Sequence, residues 1–190
     1  MMNDKQKQTL LKVAHDTVEA VITGRPVSKP KSDDQILNEP CGCFVTLKNG
    51  EDLRGCIGQF IADQPLIEIV AAMAKASATG DPRFIGDPIT PDELEELDIE
   101  ISVLSPLKKT DNPLSLRLGI DGIYIKRGHY TGCFLPQVAT ETGWTKEQFL
   151  SYCCAHKAGL PPDAWKDKRT DVFLFTAEIF SKPFKSIGGE

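Results

Sequence analysis

Cys43-Phe44-Val45-Thr46-Leu47-Lys48, then Asn49-Gly50, then a returning run that holds Leu53-Arg54-Gly55-Cys56-Ile57-Gly58, reads as one β-hairpin. Aromatic and β-branched residues suit a pleated strand, and Asn-Gly is a strong two-residue turn signal because both positions tolerate positive φ. Gly58 is expected to end the returning strand. A hairpin joins its strands antiparallel, without a crossover helix, and so points away from a doubly wound parallel sheet. Within the returning strand, Arg54 and Cys56 are two residues apart. Side chains at that spacing share a face, so the two are expected to stand side by side. Gly55 between them has no side chain, which lets a ligand or another backbone approach. A guanidinium beside a thiol favours the reactive thiolate.

Upstream of the hairpin, Leu10, Leu11, Val13, Ala14, Val18, Val21 and Ile22 recur at helical spacing, behind Asn3 and Gln6 in the N-cap and N3 positions of a capping box. This predicts a helix from about Asp4 to Thr23, stopped by Gly24 and Pro26, followed by a loop or linker over 24–40. Downstream, Asp63 and Pro65 are expected to open a helix as N-cap and N1. That helix is apolar almost all round from Leu66 to Ala78, the mark of a buried element, and Gly80 ends it. Asp81-Pro82-Arg83-Phe84 then makes a proline-stiffened loop, with Phe84 as a core anchor.

Thr90-Pro91-Asp92-Glu93 is a capping box that starts a short helix. Asp98 to Leu104 alternates, with Ile99, Ile101 and Val103 on one side and Glu100 and Ser102 on the other. Residues 107–119 read as a polar loop with a short strand. Residues 122–126 and 130–135 read as a second hairpin, turning near Arg127-Gly128. A helical turn follows from Pro136, and Thr145-Lys146-Glu147-Gln148 caps a helix that ends at Gly159. Trp165 is an isolated anchor, and Val172 to Phe180 is an apolar strand expected at the centre of a sheet. The order predicts an α+β fold: a mixed, largely antiparallel sheet with flanking helices.

A chain of 190 residues with 41% hydrophobic residues fits one domain with a real core. Its net charge of −5 argues against a broad nucleic-acid footprint while leaving room for a local anion site. The polar opening Met-Met-Asn-Asp-Lys-Gln lacks a secretory apolar run, and no stretch approaches the roughly 18 apolar residues of a membrane span. Both predict a cytoplasmic chain, not a membrane protein, whose six cysteines are free thiols.

The candidate chemistry gathers around Cys56 as a nucleophilic thiol. Arg54 and Arg83 are candidate anion holders, because a guanidinium forks onto a carboxylate or phosphate. Asp81 joins Arg83 either at a ligand or in an internal salt bridge that fixes the loop. Glu100, on the polar side of its strand, is a candidate general base or a partner for an arginine. Gln137 either orients a ligand or caps the turn it begins. Cys41-x-Cys43 and Cys153-Cys154-x-His156 supply metal donors, but the spacing departs from structural zinc patterns, so no metal is assigned. Dinucleotide, Walker A and serine-hydrolase motifs are absent from the sequence, so no cofactor is assigned.

Phe44-Val45-Thr46-Leu47, Leu53-Arg54-Gly55-Cys56-Ile57-Gly58, Asp81-Pro82-Arg83-Phe84, Ile99-Glu100-Ile101-Ser102-Val103-Leu104-Ser105-Pro106 and Leu135-Pro136-Gln137-Val138-Ala139 occur in that order. Together they resemble the AMMECR-type domain family, in its AmmeMemoRadiSam system protein A branch. The resemblance runs from about residue 40 to the last strand, through Gly143-Trp144 and Lys157-Ala158-Gly159-Leu160-Pro161. Cys41, Cys43 and His129 depart from the family pattern.

The resemblance implies a single AMMECR-type domain over 1–190, with lobes of unequal size forming a cleft and the smaller lobe within 40–60 and 107–135. It also implies a three-component setting with Memo-like and radical-SAM proteins as partners, and it carries no assigned reaction. Two functions follow as expectations. One is an enzyme component in which Cys56 and Glu100 are catalytic and Arg54, Asp81, Arg83 and Gln137 bind a small anionic substrate or a modified side chain. The alternative is a non-catalytic binding or scaffold module for a protein partner.

Overall fold

In the computed structural model, which describes residues 2–188, the hairpin forms and recruits a third strand. Strand β1 (Cys43–Asn49) pairs antiparallel with β2 (Asp52–Gln59) on one side and with β3 (Leu97–Leu104) on the other. The turn is Gly50-Glu51, with Asn49 paired to Asp52, and only Gly50 has positive φ, at 58°. Asn49 thus belongs to the strand, not to the turn. β2 continues past Gly58 to Gln59.

The sheet has two unlike faces. Val45, Leu47, Ile99 and Ile101 are wholly buried on one of them, each contributing about 1.5–3 kcal/mol by leaving water. They meet helices α1 (Asp4–Ile22) and α2 (Leu66–Thr79) in one hydrophobic core. α1 starts as expected: the Asn3 side chain accepts from the Gln6 N–H at 2.9 Å, and the Gln6 side chain accepts from the Asn3 N–H at 2.8 Å. α2 starts one residue later than its sequence suggests. Pro65 is the N-cap, its carbonyl accepting from Glu68 and Ile69, and Asp63 makes no cap. Gly80 closes the helix.

α2 lies so close to β2 that a Cβ on Gly55 would fall 2.0 Å from the Ser77 carbonyl oxygen. The absent side chain at Gly55 therefore admits another backbone. The Ser77 hydroxyl donates to the Val45 carbonyl at 2.7 Å and accepts from the Ile57 N–H at 2.9 Å, joining the two hairpin strands through the helix. The segment after Thr90 keeps its capping box, but Pro91–Glu96 is a 3-10 helix.

The chain divides into two compact units. The first runs to Leu104 and resumes at Glu178; the second is Ser105–Ala177. Residues 40–60 fall in the first and 107–135 in the second. In the second unit, β7 (Asp171–Pro183) pairs antiparallel with β4 (Lys108–Thr110) and β5 (Asp121–Arg127), and β5 pairs with β6 (Tyr130–Phe134). β7 is thus internal, yet several of its side chains are only half-buried. Its end, from Glu178, belongs to the first unit, where Glu178 binds the Met2 N–H and Lys7.

Helix α3 (Pro136–Thr142) supplies Ala139 to the second core and α4 (Lys146–Tyr152) supplies Phe149 and Leu150, beside Ile123, Ile125 and Trp165. Gly143, at φ 65°, terminates α3 in the left-handed conformation. α4 ends in a π-helical turn, Cys153–Lys157. The architecture is α+β, with every recorded strand pair antiparallel. Among the described residues no helix is long and apolar enough to cross a membrane.

Candidate functional site

The sheet face turned away from α1 and α2 carries a polar row. Thr46 on β1 lies opposite Cys56 on β2 and opposite Glu100 on β3. Residues directly opposite in an antiparallel pair point to the same side. The row depends on a defect in the ladder. The turn sets Asn49 against Asp52, and a regular ladder would then oppose Thr46 to Gly55. The register shifts by one between Leu47 and Lys48, so Thr46 meets Cys56. Arg54 is the extra residue of this β-bulge, a device that re-aims a side chain.

The re-aimed Arg54 does not serve the thiol. Its Nε donates to Glu93 Oε1 at 2.9 Å and its Nη1 to Asp87 Oδ2 at 2.6 Å, while Nη2 reaches Glu93 Oε2 and the carbonyls of Asp87 and Pro88. The side chain is 11% exposed, and the Glu93 and Asp87 carboxylates raise its already high pKa. These bonds fasten the 81–93 segment to the edge strand β2. Phe84, expected as a core anchor, is only half-buried. Its ring lies under two guanidinium groups, Arg83 at 5.4 Å and Arg54 at 6.0 Å from the centroid.

Arg83 is the cation nearer Cys56. Asp81 accepts from the Cys56 N–H at 2.9 Å, from the Arg83 N–H at 3.1 Å, and from Arg83 Nη2 at 2.6 Å, while Arg83 Nη2 also reaches the Cys56 carbonyl at 3.3 Å. The Asp81-Pro82-Arg83 turn thus satisfies the N–H and C=O of an edge-strand residue. Asp81 is buried, and the Arg83 guanidinium holds its carboxyl down to about 2. The Arg83 side chain remains 53% exposed.

At the sulfur, the Thr46 hydroxyl approaches Cys56 Sγ at 3.2 Å. Along the same face, the Phe44 ring lies over Gly58, where a Cβ would come within 2.3 Å of it. Cys56 is half-buried. Glu100 is partly exposed at the other end of the row, with Lys48 Nζ at 3.6 Å. Among the described residues neither Arg54 nor Arg83 pairs with Glu100.

Arg54, Cys56, Asp81, Arg83 and Glu100 all lie in the first unit, and Gln137 lies in the second. Gln137 makes no helix cap: the N-cap residue is Leu135, which has no side-chain cap bond. Its Oε1 is buried and has no hydrogen-bond partner among the described residues. Cys43 is buried and its thiol is pushed up to about 12, while burial likewise raises Cys41, Cys153 and Cys154. No group of three or more His, Cys, Asp or Glu among the described residues is placed to hold a metal ion.

Thr46, Asp87 and Glu93 also belong to the site, and no sequence motif singles them out for it. Glu93 carried a visible signal, since its capping box marked it as fixed, but the arginine it serves lies 39 residues away.

Residues 11–180 match the family model described as AMMECR1. A protein of Methanothermobacter thermautotrophicus is 42% identical over 180 residues, covering 91% of this chain and 92% of that one. Protein TK0174 of Thermococcus kodakarensis is 40% identical over 194 residues, covering 96% and 93%. Among solved structures, the crystal structure of the uncharacterized protein PH0010 from Pyrococcus horikoshii superimposes with a TM-score of 0.85 at 39% identity, covering 95% of this chain and 93% of that one.

Proposed function

The chain belongs to the AMMECR1 family, and we propose that within it the Cys56–Thr46–Glu100 row is a reaction surface for a small anionic substrate or a modified side chain. The observation that carries this reading is a half-buried cysteine on the polar face of the sheet whose own carbonyl is bound by the half-exposed Arg83 guanidinium. Cys56 is the nucleophile. Arg83 holds the anionic group with the part of its fork that Asp81 leaves free. Glu100 stands two strands away, about 10 Å between backbones, a span that a small substrate bridges. The Thr46 hydroxyl lies between them and can relay a proton. Arg54 is a clamp in this reading, not a ligand. The setting is a three-component system with Memo-like and radical-SAM proteins.

Alkylation tests the thiol. With iodoacetamide at neutral pH and peptide mapping of every cysteine, Cys56 is expected to react faster in the folded protein than in the denatured chain, and Arg83→Ala to slow it. A folded-state rate no higher than the denatured rate ends the nucleophile assignment.

A second reading has its own support. Arg54 and Asp81 are fully engaged internally, so much of the motif builds the fold. Ile61 and Ile85, which follow β2 and the Asp81–Phe84 turn in sequence, are 74% and 71% exposed, as side chains covered by a docked protein would be. A scaffold keeps its partner after Cys56→Ser, and a reconstituted three-protein mixture keeps its activity. An enzyme component loses that activity on Cys56→Ser alone.

A further inference from the structure

A second surface of the first unit has the chemistry of a peptide groove. It is a cavity of about 810 Å³ between α1, the 25–31 strap and the segment 182–187. Five cations and two acids line it, in a chain whose net charge is −5. Lys12 is held by Asp16 and Arg25 by Glu19. Lys5, Lys31 and Lys182 have no acidic partner among the described residues. Val13, Val27 and Ile187 give the same groove an apolar stretch. It shares no residue with the Cys56 row.

The strap supplies a third element. Pro26 and Pro30 carry no N–H and keep the chain out of helix. Between them, the backbone groups of Val27, Ser28 and Lys29 make no hydrogen bond among the described residues. An extended stretch with open N–H and C=O groups, flanked by lysines and apolar side chains, suits another extended chain. We propose that this groove binds an acidic, extended peptide segment of a partner protein. Its carboxylates would meet Lys5, Lys31 and Lys182, and its apolar side chains would meet Val13, Val27 and Ile187.

The test is fluorescence anisotropy of the full chain with a short labelled peptide alternating glutamate and valine, against the same peptide with lysine for glutamate. The acidic peptide is expected to bind saturably and to weaken with salt. The basic one is expected not to bind. Lys31→Glu with Lys182→Glu should weaken binding about tenfold or more, with the thermal unfolding midpoint unchanged. Should the double variant not fold, Lys31→Gln and Lys182→Gln singly give the same readout with a smaller loss.

No saturable binding, equal binding of both peptides, or binding unaltered by these substitutions overturns the proposal. Self-association that the charge reversals abolish also overturns it, since the occupant is then a second copy.

Discussion

Arg54 and Arg83 both reach the ring of Phe84, one from strand β2 and one from the turn after α2, yet they do different work. Arg54 is 11% exposed and faces two carboxylates and two carbonyls. Arg83 is 53% exposed and faces one carboxylate. Burial and the count of acids, not residue type, separate a fastening from a group still able to take a ligand. A buried charge needs full compensation, and a half-solvated one does not.

The contrast breaks first at Arg54. Arg54→Ala leaves Glu93 and Asp87 without their cation and releases the 81–93 segment. It should cost about 3 kcal/mol in urea unfolding. A loss below about 1 kcal/mol would mean that Arg54 is no more structural than Arg83.

Asp81→Asn comes next and carries a pH signature. The Asp81 carboxyl is lowered from 3.8 to about 2, so its contribution of about 2 kcal/mol is present above the unfolded-state value near 4. It is lost as pH falls through about 2. The stability gap between wild type and Asp81→Asn should therefore close below pH ~4, whereas a gap constant with pH would assign the effect to shape.

Arg83→Ala should cost about 1–2 kcal/mol, because water screens the guanidinium end of the pair but not the buried Asp81 carboxylate, while its effect on Cys56 alkylation is large. Thr46→Val keeps the shape and removes the hydroxyl at the sulfur. It should change stability by about 1 kcal/mol or less and alter the Cys56 alkylation rate. A Thr46→Val rate equal to wild type would leave Arg83 as the one group acting on the thiol.

What the sequence made legible was local. The Asn3/Gln6 and Thr145/Gln148 boxes are three residues across, and both form. The alternation that separates Ile99 and Ile101 from Glu100 is a property of one strand, and the burial follows it. Ser102 departs from it, polar and yet buried.

The site was legible only in part, because its bonds are long-range. Arg54 finds Asp87 and Glu93 at separations of 33 and 39 residues. The spacing Arg-x-Cys predicted a shared face, but the bulge at Arg54 sends the guanidinium elsewhere, and no periodicity announces a bulge. The missing side chain at Gly55 does mark a close approach, and the backbone that approaches belongs to Ser77. Nothing local to Gln137 marks its oxygen as buried and without a partner among the described residues.

Because Ser77 holds the Ile57 amide from across the layer, that proton is guarded by a helix instead of a neighbouring strand. Hydrogen exchange at Ile57 should then follow the detachment of α2, sharing its free energy of opening with the amides of that helix. By that measure the sulfur-bearing strand should not fray alone, its edge and the helix beneath it loosening as one body.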